Sequence, residues 1–256
     1  MREDLEAVLK ELAARFADTR AHLFEVNVKS LEGNITVLAG RVLDEATLQA
    51  LRQALAEKLP GLRVVDEGVQ VLRQDNPKIL SVGANLTGLY AQPEFGELLS
   101  ELMYGWALAI VEERGEWAFV RQMDGYLGWA YLPYLTDDLI PVPTHLVMEP
   151  VGLLRAEPRA SAPLLGRVLG GTSVRLLDLK DGWARVSASP HGWLPAEALR
   201  AFESIPENAL EKRAQMMQDA ARLTGVPYLW GGCSANGIDC SGFAQLLHRW
   251  VGISTP

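Results

Sequence analysis

The chain has 256 residues, of which 48% are hydrophobic and 22% charged, with a formal net charge of −8; that is too long for one ordinary small core and points to two or three globular units. The acidic balance, without a cluster of Lys and Arg, argues against a nucleic-acid or anionic-membrane partner, and no run approaches the ~18–20 apolar residues of a membrane span. The two cysteines, Cys233 and Cys240, are too few for a disulfide framework or a zinc site, so no metal and no cofactor is expected.

The first ten residues enter an amphipathic helix with no apolar signal core, which predicts a soluble cytoplasmic protein unless an export signal precedes Met1, with envelope association as the alternative. Leu5, Val8, Leu9, Leu12 and Phe16 recur at helical spacing and predict a helix over residues 2–17. Alternation over residues 22–29 and 34–42, across Glu32-Gly33-Asn34, predicts a hairpin. Asp44 is placed to cap a second helix with Leu48, Leu51, Leu55 and Leu59 on one face; it stops at Pro60-Gly61 before a strand over 62–72. The order αββαβ defines a first α+β domain at 1–73. From Gly33 through Val71 the pattern resembles a BON domain, a small bacterial module linked to envelope or lipid association; the plainer alternative is a packing or dimerisation module.

After a polar linker that contains Pro77, the chain repeats itself. Leu89-Tyr90-Ala91-Gln92-Pro93 matches Leu154-Arg155-Ala156-Glu157-Pro158 at an offset of 65, Trp117 matches Trp183, and Gly128-Trp129 matches Gly192-Trp193. Each copy reads as short strands separated by Gly, Pro and Asp turns, which predicts two tandem β-barrels at 79–140 and 146–202. Both resemble bacterial SH3-like domains. Trp117, Trp129, Trp183 and Trp193 are expected in their cores. The first copy alone carries a tyrosine in its late turn, Tyr126.

The third section begins near Ile205-Pro206-Glu207 with a capped helix carrying Leu210, Ala214, Met217 and Ala221, and leads into Tyr228-Leu229-Trp230-Gly231-Gly232. Then comes Asp239-Cys240-Ser241-Gly242-Phe243. Beyond Cys240 the apolar residues Phe243, Leu246, Leu247, Trp250 and Val251 return at helical spacing, so the cysteine falls at or just inside a helix N-terminus. That position favours a thiolate, the nucleophile of cysteine catalysis. The glycines are not a phosphate-binding loop, because the Lys-Ser/Thr pair is missing.

These motifs resemble the first half of the NlpC/p60 cysteine peptidase domain, a papain-like α+β fold, over residues 206–256. The resemblance implies cleavage of bacterial cell-wall peptides, with a short muropeptide such as L-Ala-γ-D-Glu-diamino acid as substrate, cut after D-Glu. It implies Cys240 as nucleophile, Tyr228 near the oxyanion, and Asp239, Ser241 and Trp230 around the substrate. In related peptidases that carry SH3-like domains ahead of the catalytic one, a tyrosine of the first barrel closes the groove and favours a free N-terminal L-alanine; Tyr126 matches it. Glu101 is a carboxylate suited by charge to the substrate amine. The family's histidine lies on a strand well beyond the Cys helix, and sixteen residues follow Cys240 here. His248 would stand about 12 Å along the helix axis, and His22, His145 and His191 fall in other domains. The reading therefore expects these residues alone to be inactive. The competing class is a non-catalytic muropeptide-binding protein or a remnant, with Phe243, Leu247 and Trp250 left without a sheet to cover them.

Overall fold

The computed structural model describes residues 1–253 and 255, which divide into two compact units, Met1–Lys78 and Ile79–Pro256. The first contains α1 (Arg2–Arg15), β1 (Phe24–Glu32), β2 (Ile35–Val42), α2 (Glu45–Lys58) and β3 (Arg63–Val71), the αββαβ order expected from periodicity. Strand β2 is central, antiparallel to β1 and parallel to β3. A parallel pair needs a crossover, and α2 supplies it. Asp44 caps α2 by accepting a hydrogen bond from the Thr47 amide at 3.0 Å. Leu5, Val8, Leu9 and Leu12 of α1 and Leu48, Leu51 and Leu55 of α2 close over Leu38, Val42 and Val69 of the sheet.

The second unit opens with β4 (Ile79–Val82), β5 (Leu86–Tyr90), β6 (Leu98–Met103), β7 (Ala107–Arg114), β8 (Trp117–Gln122), β9 (Leu127–Tyr131) and β10 (Leu135–Thr136). They form one antiparallel sheet in the order β10-β4-β7-β8-β9-β5-β6. The second copy comprises β11 (His145–Val147), β12 (Val151–Arg155), β13 (Leu164–Leu169), β14 (Ser173–Val174), β15 (Leu176–Lys180), β16 (Trp183–Val186), β17 (Gly192–Pro195) and β18 (Leu199–Ala201). Its sheets run β14-β11-β18 and β13-β12-β17-β16-β15. Matched strand for strand, this is the order of the first copy, with the counterpart of β7 broken into β14 and β15 at Arg175. The sequence repeat is thus a repeat of topology.

The cores repeat too. Val82, Leu89, Leu108, Val120 and Ala130 fill the first copy, and Val147, Leu154, Val174, Val186 and Leu194 occupy the same places in the second. The tryptophans depart from expectation. Trp129 is buried, whereas Trp117, Trp183 and Trp193 are only half-buried on the outer faces, because strand alternation already gives the inner positions to the aliphatic residues.

The rest of the unit holds α3 (Ala209–Ala220), a two-residue hairpin of β19 (Cys233–Ser234) and β20 (Gly237–Ile238), and α4 (Cys240–Trp250). Leu210 and Met217 of α3 are 77% and 76% exposed, so the apolar spacing of the sequence marks the helix but not its buried side. That side is set by Met216 and Ala220, and by Asp219, which is paired with Arg200 of β18. Leu247 and Trp250, expected to lie bare, are buried together with Leu246. Met103 of the first copy and Leu146 and Met148 of the second pack with them in one cluster. The two barrels themselves cover α4, which corrects the expectation of an uncovered helix; Phe243 does stay on the surface. No described helix is long and apolar enough to cross a membrane.

Candidate active site

Cys240 is the first residue of α4 and is exposed, while Cys233 is buried; both are free thiols. Asp239 is the N-cap, with extended backbone, and its carboxylate organises the site. Oδ1 accepts from the Gly242 amide at 2.7 Å and from the Ser241 hydroxyl at 2.8 Å, and Oδ2 accepts from the Gly231 amide at 2.8 Å. One side chain therefore satisfies the helix start and ties it to the aromatic, glycine-rich loop. Burial acts to raise its pKa, but the hydrogen bonds from Gly242, Ser241 and Gly231 outweigh this and hold it below the ordinary aspartate value. Asp239, expected to face the substrate, is mostly engaged in this brace.

Two glycines make the arrangement possible. Gly231 has φ +74° and lies so close to β6 that a Cβ would stand 2.6 Å from the Leu98 carbonyl oxygen. At Gly242 a Cβ would meet the Gly232 carbonyl oxygen at 2.1 Å. Both obstacles are backbone and cannot swing aside.

Asp239→Asn keeps a cap oxygen but turns an NH2 group toward a backbone donor, either Gly231 or the helix start. Loss of one buried, charge-assisted hydrogen bond is expected to cost about 1–3 kcal/mol, measurable by urea denaturation. Because the folded-state pKa is depressed, the brace contributes its full stability above the ordinary aspartate value and loses it as pH falls from that value through the depressed one. The acid limb of a melting-temperature profile should accordingly be flatter in Asp239→Asn.

A narrow crevice of about 10 Å³ lies beside Cys240 and brings together Ser100, Tyr126, Gly231, Asp239, Ser241 and Gln245. The first barrel thus meets both sequence neighbours of the cysteine, Asp239 and Ser241, through Ser100 and Tyr126. Asp124 and Gly125 set its approach: the Asp124 carboxylate accepts from the Tyr126 amide at 3.0 Å, and Gly125 has φ +100°. Ser100 and Gln245 were not singled out in the sequence; a serine on a strand and a glutamine on a helix carry no local mark of a site.

Other expected residues are placed differently. Tyr228 and Trp230 are 69% and 66% exposed and neither lines the crevice, although the Tyr228 backbone bridges to Ile238, two residues before the nucleophile. Glu101 is 5% exposed. Its Oε2 accepts from the Cys233 amide at 2.8 Å, and Ser234 also hydrogen-bonds to it. Glu101 fastens β19 to β6 and is not in the crevice, so its assignment to the substrate amine is corrected. Burial raises its pKa, with the Cys233 and Ser234 hydrogen bonds offsetting part of the rise. A carboxyl whose folded-state pKa is raised weakens folding as pH climbs from its ordinary value through the raised one. Glu101→Gln keeps the acceptor without the charge. Its stability relative to the wild type should therefore rise as pH climbs above the ordinary glutamate value, as differential melting would record.

His145, His191 and His248 of the second unit do not line this crevice. His248 lies two turns further along α4, with Nδ1 2.7 Å from the Ala244 carbonyl oxygen of its own helix. His145, the first residue of β11, has Nδ1 2.8 Å from the hydroxyl of the preceding Thr144. His22 packs edge-on against Phe16 in the N-terminal unit, and His191 is exposed in the turn before β17. Among the described residues no group of three or more His, Cys, Asp or Glu is arranged to hold a metal.

Comparison with known proteins gives matches to two families. Residues 89–131 match the bacterial dipeptidyl-peptidase Sh3 domain, and residues 225–256 match the NlpC/P60 family. Dipeptidyl-peptidase 6 of Lysinibacillus sphaericus is 26% identical over 187 residues, covering 66% of this chain and 68% of that protein. The gamma-D-glutamyl-L-lysine dipeptidyl-peptidase of Bacillus subtilis (strain 168) is 26% identical over 172 residues, covering 61% of this chain; the chain spans 54% of that relative's length. The crystal structure of an NlpC/P60 family protein from Bacillus cereus ATCC 10987 superimposes with a TM-score of 0.58 at 21% identity, covering 70% of this chain and 74% of that one, and so shares the fold. By these matches residues 89–131 are similar to the bacterial dipeptidyl-peptidase Sh3 domain, and the sequence around Cys240 is similar to the NlpC/P60 family.

Proposed function

We propose that this protein acts as a cysteine peptidase on bacterial cell-wall peptides, hydrolysing the bond between γ-D-Glu and the diamino acid in L-Ala-γ-D-Glu-diamino acid muropeptides. The observation that carries the reading is the exposed Cys240 at the first residue of α4, with both of its flanks in a crevice closed by Tyr126. The names of the relatives, dipeptidyl-peptidase and gamma-D-glutamyl-L-lysine dipeptidyl-peptidase, support the choice of substrate. In this mechanism the Cys240 thiolate attacks the scissile carbonyl carbon, and the oxyanion forms against the backbone amides at the start of α4 beside Tyr228. A protonated base delivers its proton to the leaving amine, and water then releases the acyl group from sulfur. Tyr126 and Ser241 would border the free N-terminal end of the peptide. The N-terminal αββαβ unit would be a BON-like accessory module, a reading supported by element order alone.

A second reading, muropeptide binding without turnover, draws on His248, whose ring is held to the carbonyl of its own helix instead of reaching back to Cys240. Incubation with L-Ala-γ-D-Glu-L-Lys and its meso-diaminopimelate analogue, followed by mass spectrometry, separates the two. Release of L-Ala-D-Glu, reduced about a thousand-fold or more by Cys240→Ser, is the expected result. Saturable calorimetric binding with no dipeptide released would replace hydrolysis by the binding reading.

A further inference from the structure

The first barrel carries an exposed aromatic platform separate from the crevice. Phe95, 63% exposed on the β5–β6 loop, contacts Tyr90, Trp117 and Tyr131 at ring-centroid distances of 5.7, 4.9 and 5.1 Å. Trp117 also meets Tyr90 and Tyr131, and Tyr131 continues to the exposed Tyr134 at 5.2 Å. The five rings come from one loop, the strands β5, β8 and β9, and the turn that follows β9. The second barrel builds the same core and strand order with only one ring of this set retained: Trp183 matches Trp117, whereas Tyr90 corresponds to Arg155, and Tyr131 to Pro195. The platform is therefore not what folds this barrel, and large exposed aromatic patches of that kind mark binding surfaces.

Charge selects the occupant. Residues 79–140 hold nine carboxylates against two arginines, net −7 of the chain's −8. Glu94 and Glu97 flank Phe95 on the same loop, and Glu116 hydrogen-bonds to Tyr131 at the platform's edge. Aromatic faces rimmed by carboxylates attract ammonium and guanidinium groups. From Phe95 through Tyr131 to Tyr134 the centroid steps are 5.1 and 5.2 Å, so the rings extend over at most about 10 Å, the length of roughly three residues of extended chain.

We propose that the Phe95–Trp117–Tyr131–Tyr134 face binds an extended peptide segment bearing lysine or arginine side chains, independently of the Cys240 site. The test titrates the intact protein with acetyl-(Lys-Pro)4-amide, following tryptophan fluorescence and calorimetry, alongside (Glu-Pro)4 and neutral chitotetraose. The lysine peptide alone is expected to bind, more weakly as salt rises because the contact is exposed. Phe95→Ala and Tyr134→Ala, both at exposed positions, should each weaken it by about 3- to 30-fold without shifting the melting temperature. Glu116→Gln should weaken it and flatten the salt dependence. Leu179→Ser on the second barrel should change nothing. No binding of the lysine peptide, equal binding of the glutamate peptide, preference for the oligosaccharide, or indifference to both aromatic substitutions would each overturn the proposal.

Discussion

Asp219→Ala is expected to destabilise the unit formed by residues 79–256 by about 3–5 kcal/mol. Asp219 is buried on α3 and accepts from both terminal nitrogens of Arg200 at 2.8 and 3.0 Å; Arg200 in turn donates to the Trp250 carbonyl oxygen at 3.0 Å. One guanidinium on the last strand of the second barrel thus joins α3 to the C-terminal end of α4. Removing the carboxylate leaves a mostly buried cation without its counter-charge; it also takes an acceptor from Gln215 and one of the two carboxylates beside Arg222, the other being Glu149. The loss is a desolvation penalty more than the net worth of the pair. The double change Asp219→Leu with Arg200→Met should therefore recover most of the stability lost by Asp219→Ala alone. Urea denaturation reads both outcomes. The N-terminal unit has its own core, so a second transition that stays fixed while the other moves would place the effect in residues 79–256. A loss below about 1 kcal/mol would mean that water or another side chain replaces the carboxylate.

The residues that were misjudged from the sequence share a physical cause. Helix and strand positions in both units follow from apolar periodicity, because the core residues of each element are close in sequence and repeat with the element's own period. The offset of 65 made the second barrel legible from the first, since Val82 and Val147, or Leu89 and Leu154, do the same work in each. The place of Cys240 at the start of α4 was legible because its motif is local. Glu101 was not, because a buried carboxylate is rare enough that exposure is the sound assumption; only the fold shows that the Cys233 amide, 132 positions later, is its partner. The face of α3 was misjudged for a similar reason. Leu210 and Met217 outrank Asp219 on any hydropathy scale, yet Arg200 reverses the order by neutralising Asp219 in place. The covering of α4 by the two barrels depends on contacts from Met103, Leu146 and Met148, which no spacing within the helix announces.

Trp250→Ala is expected to cost about 3–5 kcal/mol, whereas Trp250→Phe should cost less than about 1.5 kcal/mol. The difference separates packing from hydrogen bonding. Trp250 is fully buried, and the indole lies against the Gly170-Gly171 turn of the second barrel, where a Cβ on Gly170 would come within 3.0 Å of it. Its Nε1–H is buried with no hydrogen-bond partner among the described residues, so phenylalanine gives up no hydrogen bond and removes an unsatisfied donor. Alanine leaves a cavity at the junction of α4 with both barrels, and close-packed neighbours fill such a void only in part. Cys240 stands at the opposite end of the same helix, held by the Asp239 brace and not by the indole. The alkylation rate of Cys240 by iodoacetamide under native conditions should therefore change little in Trp250→Phe, while Trp250→Ala should expose the buried Cys233 to the same reagent as local opening becomes more frequent. Cys233 remaining protected in Trp250→Ala would mean that the Glu101 clasp, and not the packing of α4, closes this part of the molecule.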